Sequence, residues 1–464
     1  MRAARANGIS NGVPPSNGPS QRPRYALATV EATKISNRLL GPLRRLADDI
    51  WGRAALVVLG CLLAQMGLAY GYIFPALASE ILGEMGWTRS EFSFARLPQL
   101  AAMAAVSPWV GLLSLRYGAR RVILAAVALL GMAFLAFPQV SSLDQYYGLM
   151  IVTGLALTGV GDITVGHMVS QWVTRSRGLA LGIVYAGSNI GGVLLVPIVV
   201  ALANETDWRT ALLAMGLGAF ALLLPAVGLL LREVRTGEQS TSPPEPEPER
   251  DHRRRPARRP ESDSDLNLRA ALRTRSFWIL FFSLFTFFFY FLALLEHLVL
   301  YLTDLGLERN EAVRLYTIAI GLGISSKIGL GLLADRIPEK YSILLDYGVL
   351  TLSSLLLLAD PDSWLIWAFI GSFGFAYAAR DVVYPLIVSD CFGLRYLAPI
   401  YGALMLTLVL GGCGPLFAAA IHDHFGSYAF AFGSFAFLNC ASLLALLFLR
   451  DERETRNSPA PSNP

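Results

Sequence analysis

The chain has 464 residues, 54% of them hydrophobic and 16% charged, with a mean hydropathy of +0.50 and a formal net charge of +4. Average soluble domains are about 25% charged, and one membrane span needs roughly 20 predominantly apolar residues, so the apolar content here fills about twelve spans. A secreted disulfide scaffold, a disordered protein and an ordinary soluble enzyme are excluded.

Residues 1–35 are rich in Asn, Gly, Pro, Ser and Arg and are expected to be disordered. They hold no apolar core of a signal peptide. Next, Leu39, Leu40, Leu43 and Leu46 alternate with Arg44 and Arg45. Either a short helix on the membrane surface or a solvated lead-in fits that mixture. Residues 1–50 are therefore expected to form a cytoplasmic N-terminus.

Twelve apolar stretches of spanning length follow: 54–82, 90–113, 119–138, 143–172, 177–203, 208–231, 276–303, 311–333, 342–359, 363–390, 397–421 and 427–449. Backbone polar groups in lipid must be satisfied internally, and stretches this long are helices rather than barrel strands. Between the sixth and seventh lies SPPEPEPERDHRRRPARRPESDSD, a Pro-rich, charge-dense run that cannot enter a bilayer. The expected plan is a six-helix bundle over 51–231, a cytoplasmic linker over 232–275, a second six-helix bundle over 276–450 and a cytoplasmic tail over 451–464. A short surface helix, LNLRAALRTRSFW, is expected to lead into span seven.

Orientation follows from the basic residues, which are enriched in cytoplasmic loops. With both termini inside, 31 of the 38 Lys and Arg residues lie in inner segments. The outer loops hold Arg89, Arg209, Arg309 and Arg314, and Arg96, Lys327 and Arg380 are intramembrane. The four cysteines (Cys61, Cys391, Cys413, Cys440) sit in or beside apolar segments without CxxC spacing, and are expected to be buried apolar residues rather than metal ligands or a disulfide.

The halves match at one offset of 220 residues. GWTRSE at 86–91 matches GLERNE at 306–311 in Gly, Arg and Glu, and GLLSLR at 111–116 matches GLLADR at 331–336. Arg175 and Gly182 match Arg395 and Gly402, and Gly191 and Gly192 match Gly411 and Gly412. One constant offset across both faces of the membrane points to a duplicated unit. Six spans per unit give both copies the same orientation, as in transporters built from two parallel halves.

The loops GLLSLRYGARR (111–121) and GLLADR (331–336) resemble the loop signature of the major facilitator superfamily. The first copy departs from it, with Leu115 at the usual Asp position and Ala119 at a usual basic position; the second keeps Asp335 and Arg336. Within that superfamily, EMGWTRSEFS (84–93), QWVTRSRGLALGIVYAGS (171–188) and HLVLYLTDLGL (297–307) are similar to the bacterial monocarboxylate transporter branch. The resemblance implies an all-α membrane fold of twelve transmembrane helices in two parallel-repeat six-helix bundles. It also implies that spans three, six, nine and twelve are peripheral and the others line a central cavity.

A charge at mid-bilayer costs on the order of 2.5–3.5 kcal/mol on insertion scales, so intramembrane ionisable residues are functional candidates. Spans three, six, nine and twelve have none in their central parts, whereas Arg96, Asp162, His167, Glu296, His297, Lys327, Arg380 and Asp381 fall on spans two, four, seven, eight and ten. Lys327 is the only lysine in the apolar core, four residues before GLLAD. The resemblance implies that a basic residue at this spacing binds the substrate carboxylate. A structural ion pair with Asp162 or Asp381 is the alternative. The family's acidic partner one turn earlier would fall at Gly323, and the lysine some members carry after the span-one proline at Ala76; both are absent.

Asp162 and Asp381 are expected to carry a proton or latch a gate. Arg380 and Asp381, about 100° apart on a helix, are each expected to pair across a helix interface. Glu296 and His297 read as an outer gate, a proton entry or a wet cavity edge, and the near-neutral titration of His suits such a role. Asp335 and Arg336 belong with the gating candidates. Tyr70, Tyr72, Asn189 and Arg380 are further candidates for substrate contact, with interhelical packing as the alternative for the tyrosines. Arg96 is expected to snorkel outwards. The glycines of AGSNIGG (186–192) read as close helix packing.

No P-loop, GxSxG or HExxH is present, and no cofactor is expected. The expected function is secondary transport of small organic anions, monocarboxylates first, by alternating access with proton coupling. The partners are then the substrate, protons and the bilayer of an inner membrane, with no nucleic acid and a monomeric state. Dicarboxylate exchange through Arg380 and Lys327, and a non-transporting receptor, are the alternatives.

Overall fold

The computed structural model describes residues 53–173, 177–232, 265–334, 338–359, 363–393 and 396–452. Residues 1–50, most of the linker, and Asp335 and Arg336 lie outside these. All regular structure among the described residues is helical. Ten helices are long and apolar enough to cross a membrane: Ala54–Ala76, Arg89–Ser114, Ala119–Gln139, Leu143–Val169, Leu179–Glu205, Trp208–Leu230, Arg275–Asp304, Arg309–Leu330, Pro399–Phe425 and Ala429–Leu447. Glu339–Leu356 and Ser363–Phe392 complete the set of twelve, numbered here as spans one to twelve in chain order. Ahead of span seven stands the four-residue helix Leu268–Ala271, capped by the Asn267 side chain on the Ala270 amide.

The spans form two six-helix bundles with the same internal plan. In the first, span two packs on span four, span three on four and six, and span one on five and six. In the second, span eight packs on ten, nine on ten and twelve, and seven on eleven and twelve. The halves meet through spans five and eight, two and eleven, and one and seven. A twofold relation that adds six to each span number reproduces every one of these pairs.

The offset of 220 holds at the level of atoms. A Cβ at Gly192 would lie 2.7 Å from Ile320, and one at Gly412 would lie 2.7 Å from Leu100, the repeat equivalent of Ile320. Gly154 lies against the Gln99 backbone and Gly374 against that of Ala319, again equivalent positions. Glycine allows such close helix approach where a side chain would collide.

Several spans are interrupted near their centres, span six by a π stretch at Ala219–Leu223 and span eleven at Met405 and Gly412. Span one passes through a 3₁₀ stretch, Gly67–Tyr72. Span four breaks at Gly161, which adopts an extended backbone, so that Asp162 starts a new helix. The Thr164 hydroxyl donates to the carbonyls of Gly159 and Gly161, at 2.7 and 3.0 Å. Span five breaks at Ala186, between Arg177–Tyr185 and Gly187–Glu205. Irregular backbone at this depth is tolerated where it is buried in protein or lines a cavity.

Candidate functional site

Spans four, eight and ten bring four charged residues to the centre of the molecule. Lys327 Nζ lies 3.1 Å from Asp381 Oδ2 and donates to the Tyr185 carbonyl, also at 3.1 Å. That carbonyl is freed by the break in span five, and the Ser188 hydroxyl donates to it too. Arg380 bonds the other oxygen of Asp381, and its guanidinium stacks 4.8 Å over the Phe288 ring. Asp162 accepts from Gln65 Nε2 at 2.9 Å and lies within electrostatic reach of Lys327, Arg380 and Asp381. Lys327 is 6% exposed and the Asp381 side chain 28%. Asp162 is exposed although it sits at mid-span.

The pairing of Arg380 with its own neighbour corrects the expectation of two separate cross-helix pairs. The long guanidinium arm bridges the 100° offset, leaving Asp381 to hold Arg380 within span ten and Lys327 on span eight.

Next to this layer, Asn189 Nδ2 donates to the Ile320 carbonyl at 3.0 Å and to the Tyr377 hydroxyl. The Tyr72 hydroxyl faces Tyr377 and Ser188. A Cβ at Gly323 would collide with the Asn189 amide and lie 2.9 Å from the Tyr377 hydroxyl. A carboxylate at 323 therefore has no room; Asn189 from the opposite half fills its place. Tyr70 does not join this group. Its hydroxyl donates to the Met215 carbonyl at 3.1 Å inside the first bundle, and its ring sits edge-on to Phe134.

Farther along the spans, towards the face opposite the chain's ends, Arg96 and Glu296 form an ion pair between halves, 6% and 1% exposed. Arg96 Nη1 also donates to Gln99 Oε1 at 2.8 Å. This corrects the expectation that Arg96 snorkels: a buried carboxylate 200 positions away holds it inside. His297 Nε2 lies 3.0 Å from the Pro415 carbonyl and 3.1 Å from Ser93 Oγ, while Nδ1 lies 3.1 Å from the Tyr428 hydroxyl. His297 is 2% exposed, so the wet cavity edge does not describe it. His167 stands apart, 2.9 Å from Gln171.

At the rim of that face, Arg89 of the first half makes a bidentate pair with Asp304 of the second, at 2.7 and 2.8 Å, and also bonds the Tyr428 hydroxyl. Its repeat equivalent, Arg309, crosses the other way to Glu80 and Asn204 and reaches the Ala76 carbonyl at 3.3 Å. Ser90 bonds Asp423, and Asn310 bonds Asn204. The rim is thus tied by reciprocal polar contacts between the halves.

The sequence reading missed Asp346. It lies on span nine, 1% exposed, within reach of the Arg380 and Asp381 charges. Asp346 sits near one end of that apolar stretch, outside its central part, where a charge reads as a solvated boundary. Tyr316 and Tyr377 were also missed, because buried tyrosines in apolar helices read as packing. Of the cysteines, Cys61 and Cys391 are buried, but Cys413 is exposed and Cys440 half-buried, which corrects that expectation for those two.

Comparison with known proteins adds to this geometry. The sequence profile of the Major Facilitator Superfamily matches residues 57–413. Monocarboxylate transporter 11 of Mus musculus is 27% identical over 411 residues, covering 86% of each chain. Monocarboxylate transporter 12 of Mus musculus is 26% identical over 339 residues, 68% of each chain. Among solved structures, a mutant of the nucleoside transporter NupG superposes with a TM-score of 0.66 at 11% identity, covering 86% of this chain and all of that one. A bacterial homologue of the human lysosomal transporter Spinster, inward-facing and occupied, gives 0.59 at 14% identity, covering 88% of this chain and 98% of that one.

Proposed function

Because the chain belongs to the major facilitator superfamily, as a multi-pass membrane transporter of twelve helices, we propose that it carries small monocarboxylates together with protons by alternating access. The observation that carries this reading is the sharing of Asp381 by Lys327 and Arg380. Two cations held by one carboxylate make a site that an incoming carboxylate enters by replacing it. Both cations converge on one point, which favours one carboxylate over the two of a dicarboxylate. The relatives named as monocarboxylate transporters support the same substrate class.

Charge supports the coupling. Lys327 and Arg380 balance Asp162 and Asp381 in the central layer. A bound anion adds one negative charge to a site enclosed by low dielectric, where uncompensated charge costs several kcal/mol. A proton taken up on a carboxyl group of the same cluster cancels it. Asp381 then acts as the latch that holds the cations while the site is empty. Asn189 and Tyr72 line the approach.

The ties through Arg96, Glu296 and the Arg89 and Arg309 rim act as the gate of the face opposite the termini. The exposed Asp162 is then reached from the terminal face, so the molecule is in an inward-facing arrangement. On the arginine bias, both termini lie in the cytoplasm and the membrane is the inner, or cell, membrane. The two halves, 51–231 and 276–450, rock about the central layer within one monomer. On the loop signature alone, Asp335 and Arg336 belong with the gating residues.

The test is uptake into proteoliposomes of labelled pyruvate, lactate, acetate, oxalate and a branched 2-oxo acid, for the wild type and Lys327→Ala. A monocarboxylate carried by the wild type and lost in the variant is the expected result. Uptake of no acid by folded protein removes the carboxylate reading.

A further inference from the structure

Asp346 stands out among the buried polar groups. It is 1% exposed, and its Oδ1 has no hydrogen-bond partner. The neighbouring span ten carries the matching defect: Arg380 Nε is buried and has no partner, although a terminal nitrogen of the same guanidinium is on Asp381. Spans nine and ten pack along their length, and Arg380 and Asp381 are the charges that act on Asp346. An acceptor and a charged donor are thus left open on adjoining helices. A buried unsatisfied group is costly, more so when charged, and such a group in a membrane core calls for a functional account.

The remaining surroundings of Asp346 are neutral. Tyr347 on its own helix and Tyr384 on span ten bond each other at 2.9 Å and are closed onto Ser283 of span seven. Span twelve, which also packs on span nine, contains no Asp, Glu, Lys, Arg or His. Lys327 on span eight is held by Asp381 and Tyr185. Arg380 is therefore the cation within reach of Asp346 among the described residues.

We propose that Asp346 is the proton-binding site of the transporter and that Arg380 exchanges between Asp346 and Asp381. With a proton on Asp346, the carboxyl group is neutral and Arg380 stays with Asp381 in the central layer, as observed. Loss of that proton leaves a carboxylate, and Arg380 turns its free edge towards it, withdrawing from the anion site. Proton loading thus delivers a second cation to the substrate. The cluster of Lys327, Arg380, Asp162, Asp381 and Asp346 carries the same net charge empty and deprotonated as it does with proton and anion bound. This rests on the proton-coupled reading above and names the group that takes the proton.

The experiment compares wild type, Asp346→Asn and Asp346→Glu in proteoliposomes, with labelled pyruvate and lactate as probes. Asparagine keeps the shape but cannot titrate. Asp346→Asn is expected to retain exchange of internal for external label at equal pH, while its gradient-driven accumulation falls to the level seen without a gradient. Accumulation like that of the wild type overturns the proposal, and so does loss of exchange together with accumulation in folded protein, which makes Asp346 structural. Should Asp346→Asn fail to fold, Asp346→Glu decides: a displaced pH profile of uptake supports the proposal and an unchanged one overturns it. Infrared difference spectra taken across pH need no substrate. They are expected to show the C=O band of a protonated carboxyl that moves in Asp346→Glu, and a band that does not move overturns the assignment. If wild-type uptake ignores the gradient, the coupling reading fails, and the infrared band still reports whether Asp346 holds a proton.

Discussion

Gly192 and Gly412 occupy one structural position in the two halves: each is the point where its own bundle touches the other, Gly192 against Ile320 and Gly412 against Leu100. The four residues form two pairs, each 220 positions from its counterpart. The repeat therefore builds the interface between the halves as well as the halves themselves.

Alanine at either glycine overpacks that interface. At 192 the new Cβ would lie 2.7 Å from Ile320 Cγ2 and 2.9 Å from Tyr72 Cδ2, and at 412 it would lie 2.7 Å from Leu100 Cδ1. Overpacking costs about 1–3 kcal/mol. Gly192→Ala and Gly412→Ala are each expected to loosen the closed face, read as faster labelling of Ser93→Cys by an impermeant maleimide added on that face. Unchanged labelling would mean that the contact does not set the closed state.

The Lys327–Asp381 pair separates structural from substrate roles. Lys327→Ala leaves a partly buried carboxylate with one cation fewer, and breaking a buried pair costs about 3–5 kcal/mol. Lys327→Ala/Asp381→Asn removes the imbalance. The double variant is expected to recover thermal stability in detergent but not uptake. Recovery of both would make Lys327 a structural ion only.

Arg96 and Glu296 join the halves in a buried layer. Glu296→Gln is expected to destabilise the protein by about 3–5 kcal/mol, as an unpaired buried guanidinium remains. Arg96→Met/Glu296→Gln, which removes the charge from both, is expected to lose less. Thermal unfolding of the three proteins checks the order.

Asp207 caps span six outside the membrane, accepting from the Thr210 amide at 2.8 Å and its hydroxyl at 2.9 Å. These hydrogen bonds hold its carboxyl below the usual carboxylate range. A lowered folded value means that the cap contributes fully above the unfolded value near pH 3.9 and is lost as pH falls through the folded one. Asp207→Ala is expected to cost about 1 kcal/mol at pH 7 and progressively less under acid. Equal loss at both pH values would rule out the charged cap.

The fold was legible because hydrophobic length and a constant repeat offset are local or periodic signals. Pairings were not. Arg96 reads as a boundary residue until Glu296 arrives from another helix, and nothing in either segment announces the other. Tyr70 and Tyr72 read alike, but they lie in a 3₁₀ stretch, where each residue turns by about 120° rather than 100°, and one faces the first bundle while the other faces the interface. Asp346 was hidden at the end of its apolar stretch, because the depth of a helix in a bundle is set by its neighbours. The gathering of Lys327, Arg380, Asp381 and Asp162 came from the rarity of charge in these spans, which a sequence does display.

The most direct measurement is the internal pH of proteoliposomes, read by an enclosed dye, after a carried monocarboxylate is added outside with the membrane potential clamped at different values. The account predicts acidification in step with uptake, indifferent to the potential and absent in Lys327→Ala. Uptake without acidification, or uptake that follows the potential, would contradict it.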